Sequence, residues 1–307
     1  MYLIKKEKPN IEPLNKIKNK LCDIIDIAKL PKDISISTIT ITCKIGVKFN
    51  SKNIASYINL NSHCILSVAC GIPEDETTNR SLIQIKKTSK KKKKKNIFFN
   101  QVTMNIFVSN KKKKPINVKI FSNGAIQMTG CKTVENAIEV ISKLIIELNV
   151  IKAIIDKDGK LEFKPFYDRD KCITYDDITK FSIDMINSNF CLPFKIERNR
   201  LYSILQQDKI ETFYDPIKHA CVRIRFSQAT KIISIFVFEK GNIIITGAQN
   251  CSQINDTYNF INTLLLTNYK FIVKNDNIQN INIIKNINEK LNDDDNKLNN
   301  IVFNKKF

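Results

Sequence analysis

The 307-residue chain has no tryptophan, two histidines and seven glycines. No Gly-rich phosphate loop, His-Glu-x-x-His pair or nucleophile elbow can be found, so the common phosphate-cradling, zinc-protease and serine-hydrolase chemistries are excluded. Nine cysteines are scattered without a Cys-x-x-Cys pair. An odd, unpaired set does not fit a secreted disulfide framework and predicts reduced thiols in a cytosol-like or nuclear compartment. Zinc is not expected, because His63-Cys64 with Cys70 lacks paired-ligand spacing and His219 is the only other histidine. No cofactor or catalytic residue is expected. No run approaches the roughly 18 apolar residues of a membrane-spanning helix. Residues 1–6 lead into no apolar signal core. A soluble intracellular protein is expected.

What the chain has in excess is positive charge. Fifty Lys and Arg against thirty Asp and Glu give a net charge of +20, alongside 43% hydrophobic residues for a core. Such a balance points to a polyanionic partner. AT-rich coding, which inflates Lys, Ile and Asn together, is a competing source of part of that charge.

Apolar periodicity divides the chain. Residues 1–32 read as an N-terminal extension with an amphipathic stretch at 17–30 ended by Pro31. Residues 34–41 alternate as ISISTITI, a strand. A short helix is predicted at 51–60, with Ile54, Tyr57 and Ile58 on one face, and a strand at 64–70. Residues 72–97 are a polar, Lys-rich insert whose run Lys90 to Lys95 predicts a solvated loop. Strands are predicted at 99–106, 117–121 and 125–129, the last two joined by the hairpin signal Asn123-Gly124. Thr133 is placed to cap a helix to about 148, with Ala137, Val140, Ile141, Leu144 and Leu148 on its apolar face. A linker over 151–180 carries Asp168, Asp170, Asp176 and Asp177 and reads as solvated. The order then recurs over 181–270: strand 183–190, helix 197–207, strands 221–226, 232–238 and 242–246, helix 252–266. A tail at 271–307 is Asn-, Asp- and Lys-rich, a composition expected of disorder.

The recurrence is explicit in the text. FSNGAIQMTG at 121–130 matches FEKGNIIITG at 238–247, an offset of 117 residues (238 − 121). That is too long for a solenoid unit and fits a duplicated β-rich half whose copies pair edge to edge. Alternation assigns Val102, Met104, Ile106, Val118, Ile120, Ile126 and Met128 to a buried face. In the second copy the same face takes Val222, Ile224, Phe226, Ile235, Val237, Ile243 and Ile245. The opposite parity carries Phe121, Phe236, Phe238 and Ile244 beside Lys119, Arg223 and Arg225. Large apolar groups on a basic outer face suggest a binding surface.

These segments resemble a known family. IFSNGAIQMTGCK and VFEKGNIIITGA are similar to the paired IFxSGKxVxTGAK segments of TATA-box-binding proteins. FFNQVTMNI resembles that family's RFAAVIMRI, YDPIKHACVRIRF its YEPELFPGLIYRM, and STITITCKI its opening ATVTLGCRL. The matches run in order from about 34 to 270, in both repeats, and look most like the divergent versions of large DNA viruses. The resemblance implies an α+β saddle: a curved antiparallel sheet, helices on its convex face, and a concave face on the DNA minor groove. Wedge insertion between base steps is this family's own established mechanism and enters only through the resemblance. It implies Phe121 and Phe238 as wedges, with Phe99 as the second wedge of repeat one and His219 in place of its mate. Thr129 and Thr246 would meet base edges, Ile36 and Ile244 would line the groove, and Arg223, Arg225 and Lys132 would hold phosphates. Ile34 and Ile183 would replace the family's central asparagines, and Gln127 and Lys119 its apolar groove residues. Preference for AT-rich or bendable DNA is therefore expected rather than strict TATA recognition. The implied protein is a monomeric, non-enzymatic initiation factor working with a transcription factor IIB-like protein and RNA polymerase, both of viral type. Lys218 in Tyr214-Asp215-Pro216-Ile217-Lys218 reverses the charge the host factor would meet. It would act at the site of transcription, nucleus or cytoplasm, and could be packaged in the virion. Two other readings compete: a protein-interaction module on the same fold, and an accessory domain of an enzyme.

Overall fold

Each apolar-alternating segment has one face to bury, and a single sheet under a layer of helices satisfies all of them. A computed structural model describes residues 10–71, 77–83, 100–109, 114–228 and 231–274. In chain order the elements are α1 (Glu12–Ile24), β1 (Ser35–Ile45), α2 (Ser51–Tyr57), β2 (Ile65–Gly71), β3 (Thr77–Ser81), β4 (Gln101–Ile106), β5 (Ile116–Phe121), β6 (Ala125–Cys131) and α3 (Val134–Leu148). There follow β7 (Ala153–Ile155), β8 (Leu161–Phe163), β9 (Ile178–Cys191), α4 (Arg198–Gln207), β10 (Thr212–Phe213), β11 (Cys221–Gln228), β12 (Lys231–Phe238), β13 (Asn242–Ala248), α5 (Cys251–Thr267) and α6 (Tyr269–Ile272).

Eleven strands form one open antiparallel sheet in the order β10-β11-β12-β13-β9-β1-β6-β5-β4-β2-β3. The fold is α+β, with the sheet curved and its helices on one face. β1 and β9 pair at the centre and join the two repeats. The registers repeat faithfully. Thr40 faces Thr129 as Asn187 faces Thr246, and Lys44 faces Ala125 as Cys191 faces Asn242. The offset between β1 and β9 is therefore 147 residues (187 − 40), against 117 for the hairpins.

The predicted core parity is the helix-covered face. Val102, Met104, Ile106, Val118, Ile120, Ile126 and Met128 are fully buried. So are Val222, Ile224, Ile235, Val237, Ile243 and Ile245, while Phe226 is half-buried and stacks on Phe260 at 4.4 Å. The anticipated face of α3 is buried along its length. Thr133 sits at the start of α3 but makes no side-chain cap; instead Asn136 Oδ1 accepts from the Lys132 amide at 3.0 Å.

Three expectations change. The N-terminal helix begins earlier than 17 and ends at Ile24, because Pro13 suits a first helical turn and Asp26 caps a separate short turn at Ala28. Its Leu14 and Leu21 are buried, so the extension is part of the core. The insert expected to be loop contains β3. Its Arg80 donates to the Ala55 and Ile58 carbonyls at 2.9 and 2.8 Å, anchoring a polar edge strand to the end of α2. The acidic linker is tied to the structure through two of its aspartates, while Asp168, Asp170 and Asp176 stay exposed as expected. Asp177 accepts two bonds from Arg169, at 2.7 and 2.6 Å, and Asp168 accepts from the Lys48 amide at 2.8 Å. The lysine run, the beginning of the predicted strand at 99 and the tail beyond 274 lie outside the described residues.

The two hairpin corners are clamped. After β1 the chain wraps the turn before β6: the Ile45 amide donates to Gly124 O and the Phe49 amide to Ser122 O, both at 2.9 Å. After β9 the Leu192 amide donates to Gly241 O at 2.9 Å and the Ile196 amide to Glu239 O at 2.8 Å. Gly124 and Gly241 have φ of +91° and +82°, and a Cβ there would lie 2.2 Å from Ile45 O and 2.6 Å from Leu192 O. Gly124→Ala and Gly241→Ala should each lower the thermal midpoint, by a cost of about 1–3 kcal/mol or more. Gly159→Ala, at a similar φ but in open space, is the control. Equal losses at all three would show that strain, not the clamp, sets the requirement.

Arg169 holds the Asp177 carboxyl down from 3.8 to about 2. A depressed carboxylate contributes its stability fully above the unfolded value and loses it as pH falls through the folded one. Asp177→Asn should therefore be less stable than wild type near neutrality, and the gap in urea midpoint should close between pH 3.8 and about 2.

Candidate nucleic-acid interface

The parity opposite the core forms a face that no described helix covers. In repeat two it carries Phe236 and Phe238 on β12, Ile244 and Thr246 on β13, and Arg223 and Arg225 on β11. Arg223 lies over the Phe236 ring, 5.9 Å from its centroid, and donates to Ser234 Oγ at 3.2 Å. Arg225 is held by Glu211 at 2.7 Å, so a phosphate would have to displace that carboxylate.

In repeat one the equivalent positions are Lys119 and Phe121 on β5 and Gln127 and Thr129 on β6. Beyond them runs a polar ladder: Asn105 donates to Ser67 Oγ at 2.8 Å, and Asn117 to Asn105 Oδ1 at 3.4 Å. Phe121 and Phe238 each end a strand directly before a clamped turn. Because β1 and β9 run antiparallel and each clamps one turn, the two rings stand at opposite ends of the face.

At the centre, β9 presents Asn187 and Asn189. Asn187 donates to Thr38 Oγ1 at 2.9 Å and accepts from Thr246 Oγ1, and Asn189 Oδ1 accepts from Ser35. The family resemblance puts Ile34 and Ile183 here instead. Both are buried on the helix side, at 8% and 5% exposure, with Ile183 opposite Ile41. Ile36, expected to line the groove, stands opposite the fully buried Ser188 and packs against the core. Register irregularities between Ile36 and Thr38 and between Thr40 and Ile41 cause this, since a one-residue slip moves a side chain to the other face. The strict alternation of Ile186, Asn187, Ser188, Asn189 and Phe190 is the signal that would have identified the two asparagines.

His219 lies in the exposed turn before β11, edge-on to Phe213 with ring centroids 5.2 Å apart. It precedes Cys221, the partner of Phe238, by two residues. Phe99 precedes Gln101, the partner of Phe121, by the same two, but lies outside the described residues. Lys132 is exposed one residue beyond β6, at the entry to α3. The strands thus bring Phe121, Phe238, Thr129, Thr246, Ile244, Gln127, Arg223 and Arg225 onto one face. Strand parity assigns neither Lys132 nor His219 to it, and Ile36 is excluded. Burial pushes the Cys43 and Cys131 thiols up to about 12, so these remain protonated packing groups.

Residues 77–151 match the family model described as "Transcription factor TFIID (or TATA-binding protein, TBP)". Over 253 residues the chain is 39% identical to a "TATA-box-binding protein-like" protein of Acanthamoeba polyphaga mimivirus, covering 78% of this chain and 67% of that protein. Among solved structures, Methanococcus jannaschii TBP aligns with 76% of this chain and 98% of its own, at 18% identity and a TM-score of 0.47. The chain belongs to the TATA-binding protein family, as a divergent TBP-like member of the type found in large DNA viruses.

Proposed function

We propose that this DNA-binding transcription factor lays its open face on the minor groove of AT-rich duplex DNA, bends it, and recruits the transcription machinery. The observation that carries the reading is the pair Phe121 and Phe238, held at opposite ends of an uncovered face by two equivalent clamps. A ring on a rigid corner can enter a base step. Unstacking costs a few kcal/mol per step, offset by contact along the bent duplex. The net charge of +20 supplies the long-range attraction. His219 at the place of one wedge inserts less deeply than phenylalanine would, so the kink at that end is the shallower.

The turn at 214–220 presents Ile217, 95% exposed, beside an Asp215–Lys218 pair at 3.1 Å. This surface suits a transcription factor IIB-like protein with acidic complementarity, working with a viral-type RNA polymerase on one copy of this chain. Lys218→Glu should increase capture of the host's standard factor in a pull-down. Unchanged capture would remove the charge argument.

A second reading, a protein-interaction module without bending, is favoured by the polar ladder of repeat one. End-to-end fluorescence transfer on short AT-rich and GC-rich duplexes separates the two. Wild type should bend the AT-rich duplex, and Phe121→Ala with Phe238→Ala should abolish the bend. Binding without bending, or indifference to both rings, would select the second reading.

Salt dependence tests the cations. Arg223→Ala should reduce the slope of log K against log salt by about one. Arg225→Ala should change it less, because Glu211 already neutralises that guanidinium. Glu211→Ala should tighten binding at low salt.

A further inference from the structure

We propose that the two halves of the open face tolerate different base pairs: repeat one accepts a G·C pair through Gln127, and repeat two excludes it through Ile244. The inference rests on the reading of this face as a minor-groove surface. Gln127 and Ile244 are mates under the 117-residue offset (244 − 127). Gln127 sits between Thr42 of β1 and Lys119 of β5, and Ile244 between Asn189 of β9 and Phe236 of β12. The two positions are equivalent in backbone and opposite in chemistry.

In the minor groove an A·T pair shows only acceptors, whereas a G·C pair adds the guanine N2 amine, a donor. A donor pressed against Ile244 and Phe236 loses its water and gains no partner there, which is the costly case for a polar group. Gln127 offers a carbonyl oxygen for that amine and an NH2 for the acceptors of either pair. Its side chain is half-buried and has no hydrogen-bond partner among the described residues. The hydroxyl of Thr42, the cross-strand neighbour of Gln127, donates to the Asp184 carboxylate at 2.8 Å and lies 3.1 Å from Ser182 Oγ, so the acceptor this half offers is the Gln127 carbonyl itself. In repeat two the mate of Thr42 is Asn189, whose Oδ1 accepts from Ser35.

The consequence is oriented binding. A saddle with two equivalent halves can sit either way round on a duplex. This one turns the Gln127 half toward whichever side holds G·C, so one G·C-containing half-site is tolerated and two are not.

Anisotropy titrations of the full chain on three duplexes test this: all A·T, G·C in one half, and G·C in both. The one-half duplex should bind within about threefold of the all-A·T duplex, and the both-halves duplex roughly 5- to 150-fold more weakly. Gln127→Ile should weaken the one-half duplex to that same extent. Ile244→Gln should restore the both-halves duplex, and circular dichroism reports that each variant is folded. A one-half duplex already weakened fivefold or more in wild type, or unaffected by Gln127→Ile, overturns the inference while leaving DNA binding intact. Absence of binding to the all-A·T duplex would overturn the duplex reading itself and the inference with it.

Discussion

β1 and β9 run antiparallel down the middle of the sheet, and this pairing determines the geometry of everything else. It fuses two half-sheets into one, so neither repeat leaves an inner edge that must be covered. It also fixes the relation between the hairpins. Each central strand runs outward, clamps the turn of its own repeat, and so puts the two phenylalanines at opposite ends of one face. Moving either ring would require moving a clamp, and the clamp is the continuation of a strand whose Ile39, Ile41 and Ile45 are fully buried. The position of a surface side chain is thus set by core packing.

The clamp also explains the glycines. The carbonyls of Ile45 and Val47, and of Leu192 and Phe194, approach the two turns so closely that only glycine leaves room, and the positive φ demands it independently. The recurring Gly three residues after each Phe in FSNG and FEKG therefore reflects one constraint satisfied twice. The same reasoning accounts for what diverges. Open-face positions away from the corners, such as Lys119 against Phe236 and Gln127 against Ile244, touch neither core nor clamp. Their chemistry could drift apart between repeats without disturbing the backbone registers.

The buried parity, the two repeats, the hairpin signals and the family were legible because period-2 alternation and the FxxG…TG pattern survive in one sequence. Lost to sequence reading was whatever depends on a single inserted residue or on one long side chain. The register irregularities in β1 turn Ile36 toward the core and leave Asn187 and Asn189, not Ile34 and Ile183, at the centre of the face. The Arg80 guanidinium makes an edge strand of Thr77–Ser81, whose own residues have no apolar pattern. The aspartates of the linker read as a solvated cluster, and what that reading misses is that Arg169 and the Lys48 amide hold two of them. In each case a partner off the local apolar period, and for Arg80 and Asp168 one distant in sequence, decides the outcome.

Rigidity and asymmetry together shape what the face can do. Under the proposed bending mechanism a wedge must not yield when it meets the base stack, and a corner fixed by two backbone hydrogen bonds and a glycine contact would meet that demand. Between the corners the requirement is different, since on the same reading a groove floor would be distinguished by which groups are left without partners. Repeat two offers rings, an isoleucine and a stacked arginine; repeat one offers amides, hydroxyls and a lysine. An identical frame therefore presents an apolar half and a polar half to a ligand whose own edges are nearly symmetric. On the proposed minor-groove reading, the orientation of the complex would follow from the difference in desolvation between the halves, with no additional contact needed to specify it.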